Sequence, residues 1–126
     1  MAGTLVANTI NTDTGVFTTN NAYLGIAKAW VNFNGTTASP STIRSSFNVS
    51  SITKNGTGDY TVNFSTAMAD ANYCSIAGNG SGAANTVGAT SYYGQAPTTT
   101  TVRIATYNGV FSLTDYAYVS CAILGN

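Results

Sequence analysis

The chain has 126 residues, 44% of them hydrophobic and only 6% charged: four cations (Lys28, Arg44, Lys54, Arg103) balance four aspartates (Asp13, Asp59, Asp70, Asp115), with no Glu and no His. That length allows one modest core, and four scattered, neutralised cations exclude the basic footprint that a nucleic-acid backbone requires. Without histidine no Ser-His or Cys-His nucleophile can be assembled within the chain, and zinc loses its commonest nitrogen ligand, so neither a metal nor another cofactor is expected.

Helix formers such as Glu, Lys and Gln are scarce, while Thr, Val, Ile, Tyr and Phe abound and turn residues recur throughout. The composition predicts an all-β protein. No apolar run reaches the ~20 residues of a membrane span, and no charged-then-apolar leader opens the chain. The expectation is a protein that does not insert into a membrane, made without a signal peptide or with one removed.

Residues 1–25 differ from the rest. Thr4 to Asn21 gives short apolar beats between polar turns, with no stretch long enough to form a core alone. Such a segment is expected to lean on copies of itself, wound side by side in a trimer; the alternative is a frayed or tag-derived tail. From residue 26 a second unit follows, 26–126, with strands predicted at about 26–34, 43–53, 59–66, 72–78, 86–93, 101–107 and 116–124. Short strands with turn punctuation and no helical stretch between them predict an antiparallel, jelly-roll-like β-sandwich.

Within this unit the run from Ile43 to Phe64 is the clearest signal. Tyr60, Val62 and Phe64 alternate with Thr61, Asn63 and Ser65, the period of a strand with one apolar face. Phe47 and Val49, on one inward face, predict a partner strand, and an extra residue near Ser50-Ser51 is needed to return Ile52 to the core side. Between them Asn55-Gly56 and Gly58 predict the turn of a hairpin. Trp30 and Phe33 are to pack against it from a preceding strand, on opposite faces. Cys74 and Cys121 both lie in apolar runs, which predicts buried free thiols rather than a disulfide. The last strand, Tyr116 to Leu124, is apolar on both faces and predicts a central or intersubunit position.

Candidate chemistry is sparse. Each Asp sits beside a turn, where backbone bonding accounts for it before catalysis does, and no acidic cluster has the spacing of a calcium loop. Five Asn-x-Ser/Thr matches, at Asn34, Asn48, Asn55, Asn63 and Asn79, arise freely in so Asn-rich a chain and are read as turn and strand-face residues. Binding needs only exposed aromatics and amides. Tyr92 and Tyr93 stand at the end of a strand with Gln95 just beyond, Tyr107 and Asn108 beside a turn, and Asn79 and Asn85 in a Gly-rich stretch, 78–85. Tyrosine faces stack on sugars while amides bond their hydroxyls, so these seven are the candidate receptor contacts; packing between subunits is the alternative for the tyrosines.

Lys28-Ala29-Trp30-Val31-Asn32-Phe33-Asn34-Gly35, Ile43 to Thr53, Asn55 to Phe64 and Ala67 to Tyr73 resemble the C-terminal domain of tail fibre proteins of tailed bacteriophages, and Tyr118 to Gly125 does so more loosely. The resemblance implies a homotrimeric all-β fibre tip on the virion, preceded by the end of a β shaft. It also implies attachment to a host cell-surface glycan or outer-membrane protein, through Gly78 to Pro97 and the later turns. The matching positions are scaffold, so no site residue is carried over. The competing expectation is a structural virion protein, such as a capsid decoration or baseplate spacer.

Overall fold

The structure, a computed structural model, describes residues 3, 4, 6, 7, 9–12, 15–18, 25–81 and 88–125; Asp13 and Asn85 lie outside the described residues. Near the N-terminus β1 (Thr9–Thr12) and β2 (Gly15–Thr18) pair with each other as an antiparallel ribbon, Thr9 opposite Thr18. In β3 (Ala27–Asn34) alternation buries Ala29, Val31 and Phe33, while Trp30 between them stays exposed. The two aromatics of this strand therefore do face opposite ways, but only Phe33 packs toward the hairpin; Trp30, also expected to pack, lies on the outer face because parity turns it away from the core.

The predicted continuous strand over 43–53 is instead two strands, β4 (Thr42–Phe47) and β5 (Val49–Gly56), parted at Asn48. Asn48 has φ of 54°, a left-handed conformation that Asn tolerates better than most residues. Its side chain fastens the corner: Nδ2 donates to Lys28 O and Thr66 O at 3.1 Å each, and Oδ1 accepts from Thr66 N–H at 2.7 Å. The corner passes the chain from one sheet to the other. Phe47, expected on the same inner face as Val49, is consequently exposed, while Val49 is buried.

β5 pairs with β6 (Asp59–Phe64) as predicted, and the extra residue is Ser50: the register passes from Val49 opposite Phe64 to Ser51 opposite Asn63, and Ile52 is buried. The turn itself differs in detail. It is Gly58, with φ of 63°, and not Gly56 that takes the left-handed conformation. A Cβ on Gly58 would lie 2.5 Å from Thr114 N and 2.6 Å from Thr106 O, so glycine is required there for space as well as for conformation.

The remaining strands are β7 (Cys74–Gly80), β8 (Gly88–Ser91), β9 (Thr101–Tyr107) and β10 (Tyr118–Leu124). Two four-stranded antiparallel sheets result, in the orders β4-β3-β10-β7 and β5-β6-β9-β8. The architecture is an all-β sandwich, with the strand number and layering expected of jelly-roll-like domains. β10 is central in its sheet, flanked by β3 and β7, but in the single chain only its inner face is buried, at Val119, Cys121 and Ile123, while Tyr118 and Ser120 face outward. β7 runs on to Gly80, so Gly78 and Gly80 belong to a strand, held by pairing with Ser120 and Tyr118, and not to the expected loop. Among the described residues no helix is long and apolar enough to cross a membrane.

Phe33, Val31 and Ile123 of one sheet meet Tyr60, Ile52 and Ile104 of the other, all essentially without solvent contact. Each such side chain stabilises the fold by roughly 1.5–3 kcal/mol. Phe33 and Tyr60 meet edge to face with ring centroids 5.1 Å apart, and Phe64 and Tyr73 do so at 5.8 Å. Neither cysteine is in a disulfide. Cys121 points into this core, where burial pushes its thiol up to about 11, but Cys74 is exposed: its register opposite Leu124 puts it on the outer face.

β3, β5, β7 and β9 all finish at one end of the sandwich, opposite the end where β3 begins; we call it the distal end. A polar knot ties it together. Asp115, from the β9–β10 connection, accepts from the Tyr60 hydroxyl at 2.8 Å and from Gly58 N–H at 2.8 Å, and its second oxygen meets Lys54 Nζ at 2.6 Å. Lys54 Nζ also donates to Gly35 O at 2.9 Å, Tyr60 OH lies 3.0 Å from the same oxygen, and Gly35 N–H donates to Tyr116 O at 3.0 Å. Both sheets and the β9–β10 connection converge on Asp115 and Gly35. Asp115→Ala would leave a half-buried ammonium and a buried phenol short of a partner. We expect a loss of about 2–3 kcal/mol, measured as a lower urea midpoint with an unchanged slope.

Candidate functional site

On the outer face of the β5-β6-β9-β8 sheet, alternation turns Asp59, Thr61 and Asn63 of β6 and Thr101 and Arg103 of β9 away from the core. Asp59 and Arg103 form a two-pronged pair, Nε donating to Oδ1 at 2.8 Å and Nη2 to Oδ2. Asn55 Nδ2 donates to Asp59 Oδ1 at 3.2 Å and to Thr61 Oγ1 at 2.9 Å. Tyr93 lies with its ring centroid 5.6 Å from the Arg103 guanidinium carbon and 6.2 Å from the Tyr107 ring, edge to face. The result is a shallow aromatic and polar patch whose one cation and one anion cancel.

Hydrogen bonding from Arg103 holds the Asp59 carboxyl below its ordinary 3.8, against the opposing effect of burial. Burial, with Tyr93 and Asp59 nearby, raises the Tyr107 phenol, which stays protonated at neutral pH. The patch therefore offers a fixed, neutral set of ring faces, hydroxyls and amides.

Directly after Tyr107 comes the β9–β10 connection, and Asn108 builds its tip. Asn108 Oδ1 accepts from Val110 N–H at 3.1 Å and Ser112 N–H at 3.0 Å; its backbone accepts from Phe111 N–H and donates to Ser112 O, both at 3.0 Å. Below the tip, Thr114 N–H donates to Thr106 O at 3.0 Å, Thr106 Oγ1 donates to Thr114 O at 2.6 Å, and Tyr116 OH donates to Tyr107 O at 3.2 Å. This frame holds Val110 80% and Phe111 84% exposed, with Phe111 at φ of 56°.

The seven sequence candidates are thus divided. Tyr93 and Tyr107 come together, and Asn108 is adjacent, although its side-chain oxygen serves the loop and not a ligand. Tyr92 is diverted: its hydroxyl donates to Tyr73 O at 2.9 Å and accepts from Ser75 N–H at 3.0 Å, which closes the seam between β8 and β7. Gln95 is exposed on the β8–β9 connection, which leaves toward the opposite end. Asn79 faces inward in register with Val119, its Nδ2 buried without a hydrogen-bond partner among the described residues. Sequence reasoning missed Asp59, Arg103 and Asn55 as site members, and it missed Val110 and Phe111; Asn-Gly followed by an apolar pair between polar residues is the signal that marks the last two.

A second surface lies on the outer face of the β4-β3-β10-β7 sheet. Phe47, Trp30, Ala122 and Ile76 stand opposite one another in register, one from each strand, and all but Ala122 are well exposed. Beside this row the Arg44 guanidinium carbon lies 4.6 Å from the Tyr118 ring centroid. Among the described residues the surface has no pocket, and no group of acidic, His and Cys side chains is placed to hold a metal.

Comparison with protein-family models, curated proteins and solved structures found no match to this chain. The site's chemistry rests on its own geometry.

Asp59 and Asp115 predict an acid transition. Burial raises the Asp115 carboxyl, but bonds from Lys54, Gly58 N–H and Tyr60 outweigh it, so both carboxyls lie below their ordinary 3.8. Depressed folded-state values add stability that is complete above the unfolded value and lost as pH falls through the folded ones. The melting temperature is expected to stay level from neutral pH to about 5 and to fall below about 4, with a shallower fall in Asp59→Asn.

Proposed function

We propose that the chain is the receptor-binding tip domain of a tailed-bacteriophage tail fibre, which attaches the virion to a glycan or protein on the bacterial surface without catalysis. The polarity of the sandwich carries this reading. Residue 27 leads into β3 at one end, while the connections that follow β3, β5, β7 and β9 leave from the other, where the exposed β9–β10 tip adjoins the Tyr93–Tyr107 patch. A domain that is held at one end and makes contact at the other needs that arrangement. Loops on a rigid scaffold are the usual carriers of recognition.

A non-catalytic role is supported by the engagement of the carboxylates: Asp59 with Arg103, Asp115 with Lys54 and Tyr60, and Asp70 through an Asx bond from Asn72 N–H at 2.7 Å. Among the described residues none is left as a pair facing a cleft, which general acid–base work on a glycan requires. Binding of the full fluorescent chain to a panel of bacterial strains tests the reading. Saturable binding to particular strains is expected; failure to bind any strain would overturn it in favour of a structural virion component.

The row of Phe47, Trp30 and Ile76 favours assembly, and we propose a homotrimer in which this face packs against other copies. The strands β1 and β2 are then part of the end of an intertwined shaft, since strands of four residues gain little stability alone. Light scattering should give three times the 12.9 kDa chain mass. The triple change Trp30→Ser, Phe47→Ser, Ile76→Ser should give a folded monomer, and a wild-type monomer would refute the assignment.

A further inference from the structure

We infer that Phe111, supported by Val110, is an anchor that inserts into an apolar pocket on a protein of the bacterial surface. The inference rests on the attachment reading above and names the class of partner. Single exposed hydrophobic residues are ordinary on protein surfaces, but these two are adjacent, almost wholly exposed, and held there. Phe111 occupies a left-handed conformation that a bulky residue adopts only when its surroundings impose it. Those surroundings are the Asn108 side chain, which ties Val110 and Ser112, and the Thr106–Thr114 bonds that fix the base of the loop.

The partner's chemistry follows from what surrounds the ring. A lipid surface takes apolar side chains in any orientation and is helped by basic residues, whereas residues 107–114 carry no charge and the nearest ions are already paired, Arg103 with Asp59 and Lys54 with Asp115. A sugar needs polar partners beside the ring; at the tip the Asn108 oxygen and the Thr114 hydroxyl bond within the loop, so that chemistry belongs to the neighbouring patch and not to the Phe111 tip. A rigid aromatic with a fixed direction suits a preformed pocket, because the cost of ordering it is met before binding. Tyr107 and Tyr93 then lie behind the anchor, toward the rim of the contact.

The test uses the full chain and strains that bind it. Phe111→Ala should keep the wild-type melting temperature and weaken cell binding at least about tenfold; Phe111→Leu should recover most of that loss, and Asn108→Ala, which frees the loop, should fall between. Proteinase treatment of the cells should abolish binding and periodate oxidation of their glycans should not, while phosphatidylethanolamine–phosphatidylglycerol vesicles should not bind the chain. Binding by Phe111→Ala within twofold of wild type overturns the inference and leaves host attachment standing. So does binding lost to periodate but not to proteinase, or vesicle binding that Phe111→Ala removes. Absence of binding to every strain overturns attachment and the anchor together.

Discussion

The carboxylate of Asp115 is the constraint on which the distal end depends. A sandwich core is held by non-directional burial, which resists separation of the sheets better than it fixes their ends. Here one side chain receives bonds from Tyr60, Gly58 and Lys54, and Lys54 reaches on to Gly35 at the end of β3. Tyr60 links this knot to the core, since its ring packs on Phe33 while its hydroxyl ends among the polar groups. Burial and the neighbouring Asp115 push its pKa upward, so it remains a donor across the ordinary pH range. The β9–β10 connection thereby has a fixed base.

A chain with so little charge must stiffen its connections by other means, and asparagine does much of this. Asn48 binds three backbone groups at the corner between the sheets, Asn108 braces the loop tip, and Asn34 Oδ1 accepts from Thr36 N–H at 3.1 Å and from its hydroxyl at 2.7 Å. Asn63 Nδ2 bridges Ser51 and Thr53 across the hairpin at 3.1 and 3.0 Å. Each amide satisfies backbone or hydroxyl groups that a charged residue would meet at a higher desolvation cost.

The outer faces of the two sheets then take different characters. One carries the row Phe47, Trp30, Ala122 and Ile76, the other a neutralised Asp59–Arg103 pair under two tyrosines. On the reading proposed above, the first face meets other copies of the chain, and the second, with the distal loops, meets the host. Parity sets which residues of each strand the core skips, and the corner at Asn48 and the strand order set which of them share a face.

Much of the fold was legible in the sequence. Period-two alternation identified the core of β6 and the opposite facing of Trp30 and Phe33 in β3, and the position of Ile52 relative to Val49 called for the bulge that Ser50 supplies. Such features depend on neighbours in the chain, which is why sequence carries them. What the sequence left open depends on residues far apart. Whether Asn48 continues a strand or turns a corner was decided by its contacts with Lys28 and Thr66, which is also why Phe47 ended outside. That Tyr93 would join Tyr107 while Tyr92 was drawn to Tyr73 depended on how β8 settles between β9 and β7. Composition and periodicity determined an all-β, nearly uncharged sandwich, because those are properties of each strand by itself. The pairing of Asp59 with Arg103, the knot at Asp115 and the exposure of Phe111 were decided only by tertiary structure, because each requires side chains from separate strands to arrive at one place.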